Sequence, residues 1–121
     1  MKNRLESGKA GEDLAAGYLV ENRYRIIERN FKCALGEIDI IARDGPAIVF
    51  IEVKSRKSAR YGRPEEAVDR RKQAKLSRIA LAYLKSRSGL DTRARFDVVS
   101  VYLRPGGPEI RLFKNAFDLV L

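Results

Sequence analysis

Apolar residues recur along the chain with two different periods, and each change of period marks a new element. Leu14, Ala15, Tyr18 and Leu19 follow one another at helical spacing, and Asn3 with Glu6 three residues on reads as an N-terminal capping pair. The pattern predicts a first helix over about Arg4 to Glu21. From Tyr24 to Lys32 the spacing shortens and β-branched and aromatic residues enter, as a strand requires. Gly36–Arg43 and Ala47–Ser55 are richer still in Ile, Val and Phe, and Asp44-Gly45-Pro46 between them reads as a hairpin turn. Pro64 followed by Glu65 and Glu66 suits a helix start, and Lys85, Arg87 and Gly89 an end, so a second helix of about 22 residues is expected. Arg95–Leu103 alternates as a strand, and Glu109–Phe113 reads as a short edge strand after the turn Pro105-Gly106-Gly107-Pro108. The resulting order, αβββαβ(β), predicts an α/β fold: a mixed β-sheet flanked by helices, with the second helix as crossover.

Three polar positions break this apolar pattern. Strand alternation places Glu37, Asp39 and Ile41 on one face of the second strand, and Ile48, Phe50, Glu52 and Lys54 on one face of the third. A four-residue loop, 44–47, sets Asp39 opposite Glu52; a two-residue loop sets it opposite Phe50. Either register brings the two carboxylates to one side of the sheet with Lys54 beside them. The third strand is apolar on both faces before Glu52, which marks it as central, and ionised groups there are costly unless paired or bound to a metal. A hard cation such as Mg²⁺ resolves the repulsion of paired acids, and a neighbouring lysine can position water and stabilise developing phosphorane charge. Glu-x-Lys alone carries no weight, since the chain's Glu and Lys content predicts it roughly 0.7 times by chance. The Asp on the neighbouring strand adds weight, although an ion pair near a strand end would read the same way.

Each helix adds one anomaly. Glu12 sits within the stripe Leu5, Gly8, Glu12, Ala15, Leu19, between two small residues that would let the helix lie close to the sheet. It reads as a further ligand, a water-orienting group, or a rim glutamate whose head reaches solvent. Lys72 is the one charge in the stripe Val68, Lys72, Leu76, Ile79, Tyr83; it would approach a phosphate, meet a site carboxylate, or snorkel from the helix edge.

Charge and composition narrow the chemistry. The 121 residues fit a single domain, and the formal net charge is +9 with a pI near 10.0. The chain has no His and one Cys. It therefore cannot carry a His-based triad, a His-metal nuclease site or an internal disulfide. Met1–Glu12 is too charged for a signal peptide, and the longest apolar run falls far short of the roughly 20 residues that span a bilayer. A cytoplasmic protein with no membrane partner is expected. From Lys54 to Arg78 ten basic residues face three acids, so this stretch holds +7 of the charge. Arg56, Lys57, Arg60 and Arg63 form a basic loop, and Arg71, Lys72 and Lys75 continue it on the second helix. Such a surface grips a nucleic-acid backbone without reading its sequence.

Taken in order, Gly8-x-x-Gly11-Glu12-x-x-Ala15, Arg29-Asn30-Phe31, Gly36-Glu37-Ile38-Asp39-Ile40-Ile41, Val49-Phe50-Ile51-Glu52-Val53-Lys54 and Arg95-Phe96-Asp97-Val98-Val99 resemble an uncharacterised bacterial family of the UPF0102 type. Its members are described as candidate endonucleases with a restriction-endonuclease-like fold, similar to archaeal Holliday-junction resolvases. The resemblance covers Gly8 to about Phe117. It implies that Asp39 and Glu52 bind Mg²⁺ or Mn²⁺, that Lys54 is the catalytic lysine, and that Glu12 is the acid of the first helix. Lys72 matches a polar position on the helix after the Glu-x-Lys strand, and Ile38 stands where many nucleases have Pro. The implied activity is metal-dependent hydrolysis of DNA phosphodiesters, selective for structure rather than sequence, with DNA placed before RNA. The alternatives are a catalytically inactive nucleic-acid-binding module and a domain whose basic face meets an acidic protein. A two-fold symmetric substrate such as a four-way junction would call for a homodimer.

Overall fold

The computed structural model describes residues 4–56, 68–87, 89 and 91–120. Its elements run α1 (Arg4–Glu21), β1 (Arg25–Cys33), β2 (Gly36–Asp44), β3 (Ala47–Arg56), α2 (Arg70–Arg87), β4 (Ala94–Tyr102) and β5 (Glu109–Phe117). The strands form one sheet in the order β1-β2-β3-β4-β5. Only β3 and β4 are parallel, joined across α2; the other neighbours are antiparallel. The fold is thus α/β with a mixed sheet in the order αβββαββ, and β3 is its central strand.

The two sheet faces bury separate cores. Ile41, Ile48, Phe50, Phe96 and Val98 pack under Leu76, Ile79, Ala80, Tyr83 and Leu84 of α2. Ile40, Ala42, Val49, Ile51, Val99 and Val101 pack under Ala15, Ala16 and Leu19 of α1. β2, β3 and β4 are apolar on alternate sides because both of their faces are covered. Gly11 allows α1 its close approach: a Cβ there would strike the Ser55 side chain of β3, whereas one at Gly8 would meet nothing. The small residue that matters beside Glu12 is therefore its neighbour Gly11 and not Gly8.

Three expectations need revision. Val68 and Asp69 are not helical. α2 begins at Arg70, where Asp69 Oδ1 accepts the Lys72 N–H at 2.8 Å and caps the helix. The start expected at Pro64 lies outside the described residues. β5 extends to Phe117, four residues past the expected end, because it pairs with β4 from Tyr102 back to Phe96 around a bulge opposite Asp97. Ile38, which strict alternation puts opposite Ile41, packs in the same α2-side core. The cause is local: Asn30, in register with Asp39 between the pairs Arg29↔Ile40 and Phe31↔Ile38, has φ 54°, and the ribbon twists there.

Candidate metal and nucleic-acid site

The β2–β3 hairpin turns on Gly45 (φ 60°) and Pro46, with Asp44 paired to Ala47. Glycine supplies the positive φ that this tight turn needs at its first central position. The expectation that a two-residue loop sets Asp39 opposite Phe50 is overturned: with Asp44 paired to Ala47, Phe50 lies opposite Ile41 and Asp39 falls opposite Glu52, although ladder pairing stops one step earlier, at Ile40↔Ile51. Beyond it β2 continues pairing with β1 as far as Gly36, and β3 continues with β4 as far as Arg56. The central sheet splits here. Asp39 fills the split: its Oδ2 accepts the Val53 N–H at 2.8 Å, taking the place of a strand carbonyl.

Glu52 stands across the split on the α2 side, with its side chain 7% exposed. The Asp39 carboxyl is close enough to share a proton with it. Burial first, then that hydrogen bond and the charge of Glu52, push Asp39 up to about 8; the Val53 N–H and the Lys72 charge oppose the rise. Lys72 Nζ lies 3.3 Å from Glu52 Oε2. That oxygen is shut off from solvent and accepts no hydrogen bond among the described residues. An oxygen so placed is an unsatisfied acceptor that a cation would satisfy.

The other expected site residues fall into three groups. Lys54 follows Glu52 on the same face of β3, in register with Ser100, and makes no ion pair among the described residues. Glu12 is held away from the acid pair: its Oε1 accepts from Asn30 Nδ2 at 2.9 Å and from Arg29 Nε at 3.1 Å. Arg29 also binds Asp13. Glu12 thus reaches the split indirectly, through the residue in register with Asp39. Among the described residues no third acid joins Asp39 and Glu52 in a metal-binding cluster. Arg71 and Lys75 are exposed on α2, with Arg70 and Arg78 extending the same basic surface, and Arg56 ends β3. Lys57, Arg60 and Arg63 lie outside the described residues.

Two polar features carried no assigned role in the sequence reading. Asn30 is one, although an asparagine within an apolar strand is itself a warning of special backbone. The other is Asp97, fully buried on β4 in register with Ile51, the residue before Glu52. It accepts from Tyr24 Oη at 2.7 Å, from Arg95 Nε at 2.8 Å and from Asn115 N at 2.9 Å. Arg95 also bonds Asp44 at 2.8 Å. The Arg-Phe-Asp motif therefore serves the frame of the fold.

Fold and geometry together define an α/β domain that divides its central strands around a buried acid pair beside a basic helix. The chain belongs to the uncharacterised protein family UPF0102, whose family model matches residues 11–101. It is 54% identical over 119 residues to a UPF0102 protein of Syntrophus aciditrophicus, covering 98% of this chain and 94% of that one. It is 53% identical over 113 residues to one of Geobacter sulfurreducens, covering 93% and 88%. A solved chain titled "Crystal structure of SSO0001" superposes with a TM-score of 0.37 at 18% identity, over 92% of this chain and 51% of that one. That likeness is too loose to bear on function.

Proposed function

We propose that this protein is a divalent-metal-dependent endonuclease of the restriction-endonuclease-like class, acting on DNA phosphodiesters by structure rather than sequence. The observation that supports the reading is the split between β2 and β3, where Asp39 and Glu52 converge and the buried Glu52 Oε2 lacks a hydrogen-bond donor. Two converging carboxylates suit Mg²⁺ or Mn²⁺, which seldom takes a complete cage of protein ligands. Asp39 and Glu52 would hold the ion. Bound there, it would supply Lewis acidity toward the phosphodiester and make a water more acidic. Lys54, on the same face as Glu52 and without an ion pair among the described residues, orients the attacking water and offsets charge developing on the phosphorus oxygens. Glu12 fixes Arg29 and Asn30 and so holds the backbone opposite Asp39.

The binding surface is the first half of α2. Arg70, Arg71 and Lys72 occupy its first turn, and α2 contains no acid. Cations at the positive end of a helix dipole are unfavourable, so this turn spends stability on charge that a polyanion can use. Phosphate contacts of this kind position a duplex without reading bases.

The test incubates the purified chain with branched, flapped, single-stranded and linear DNA, in Mg²⁺, Mn²⁺ or chelator. Cleavage that requires the metal and vanishes in Asp39→Asn and Glu52→Gln supports the enzyme. A second reading, a nucleic-acid-binding module, draws on Lys72, which already faces Glu52 in place of an ion. Salt-sensitive binding without cleavage by the wild type, retained in both variants, would establish the module and exclude the nuclease.

A further inference from the structure

We propose that Lys72 is an internal competitor for the divalent cation: it faces Glu52 while the site is empty and leaves when the ion enters. This rests on reading Asp39 and Glu52 as the cation site. Three observations carry it. Lys72 Nζ stands 3.3 Å from Glu52 Oε2, where a cation would meet that oxygen. Oε2 nonetheless gains no hydrogen bond from it, so Lys72 neutralises charge without completing the oxygen's bonding. Finally, the partners differ in freedom: Glu52 is 7% exposed in the central strand, whereas the Lys72 side chain is 39% exposed at a helix edge.

The Lys72 backbone is fixed by the cap on its N–H, but its four-carbon stem is not. An ammonium and a divalent ion cannot share one buried carboxylate oxygen, because their mutual repulsion in a poorly hydrated site is large. The incoming ion carries twice the charge and coordinates the oxygen directly, so it displaces the lysine. The released ammonium then lies on the same helix turn as Arg70 and Arg71, the side that faces a polyanion. Ion uptake and phosphate contact thereby favour each other, and linkage makes that preference reciprocal.

Calorimetric titration of Mn²⁺ into the full-length chain tests this without reference to cleavage. Lys72→Met should bind Mn²⁺ at least about fivefold more tightly than wild type, and Lys72→Arg, which keeps the competing charge, should stay close to wild type. Glu52→Gln should abolish binding in every background. If Mn²⁺ binding depends on Glu52 but Lys72→Met leaves it equal or weaker, Lys72 is no competitor and the cation site stands. If no chain binds Mn²⁺ through Glu52, the cation site falls and the competitor with it. Should Lys72→Met be unfolded alone, far-ultraviolet circular dichroism decides: Mn²⁺-induced folding supports the proposal, and its absence overturns it.

Discussion

Asp39 shows how one side chain can be both a structural acceptor and a reactive group. One oxygen replaces a missing ladder carbonyl for Val53, and burial beside Glu52 raises the affinity of the carboxyl for a proton. The consequence for stability has a definite sign. A carboxyl raised from 3.8 to about 8 makes the folded chain hold more protons than the unfolded chain between those values. Its contribution is therefore fully present below about pH 4 and is lost as pH climbs through 8. Asp39→Asn should remove this fall, which for a single proton approaches about 1.4 kcal/mol per pH unit at its steepest. Urea midpoints from pH 5 to 9 for both proteins check the point, and parallel profiles would contradict it. Asp39, Glu52 and Lys54 stood out in the sequence as polar positions within apolar strands, although strict alternation fails at Ile38, beside Asp39. Which of its three readings Lys72 takes, and the role of Asn30, were not legible there, since which helix turn covers which strand, and which residue takes positive φ, depend on packing between distant segments.

At the scale of elements, α1 lies against β3 only because position 11 has no side chain. Gly11→Ala should cost about 1–3 kcal/mol through the clash with Ser55. Ser55→Ala in the same chain should recover part of the loss, since the hydroxyl lies nearest the added methyl. Denaturant unfolding of the single and double variants measures the coupling. α2 poses the opposite case, an element destabilised for charge. Arg71→Glu should stabilise the protein by about 0.3–1 kcal/mol by suiting the helix dipole. The same change should weaken duplex DNA binding and lower its salt slope by about 1. Thermal unfolding and binding at several salt concentrations give the two readouts. The beginning of α2 was misplaced from sequence because Pro64-Glu65-Glu66 is a good local start signal, while the Asp69 cap sets the start in the folded chain.

For the whole molecule, two buried acids in neighbouring registers do different work. Asp97, in register with Ile51, ties together the entry to β1 through Tyr24, the β2–β3 turn through Arg95 and Asp44, and the β5 bulge through Asn115. Burial and the charge of Asp97 hold the Tyr24 phenol well above its ordinary range, so it remains a donor. Removing the acid leaves the Tyr24 hydroxyl and the Asn115 N–H without their acceptor and Arg95 paired with Asp44 alone: Asp97→Ala should cost about 1–3 kcal/mol, measured by chemical denaturation, with Asp97→Asn less severe. One residue further along β3 the ladder to β2 has opened, and Glu52 Oε2 accepts no hydrogen bond among the described residues. By itself the sequence determined the elements, the central place of β3 and the position of the positive charge along the chain. Those depend on local periodicity, turn chemistry and composition. Only the tertiary structure decided that β2 and β3 part at Asp39, that Lys72 rather than Lys54 meets Glu52, and that Glu12 is tied to Arg29 and Asn30. Each of these depends on the relative placement of segments far apart in the chain, which buried surface and charge settle together and no short stretch of residues encodes.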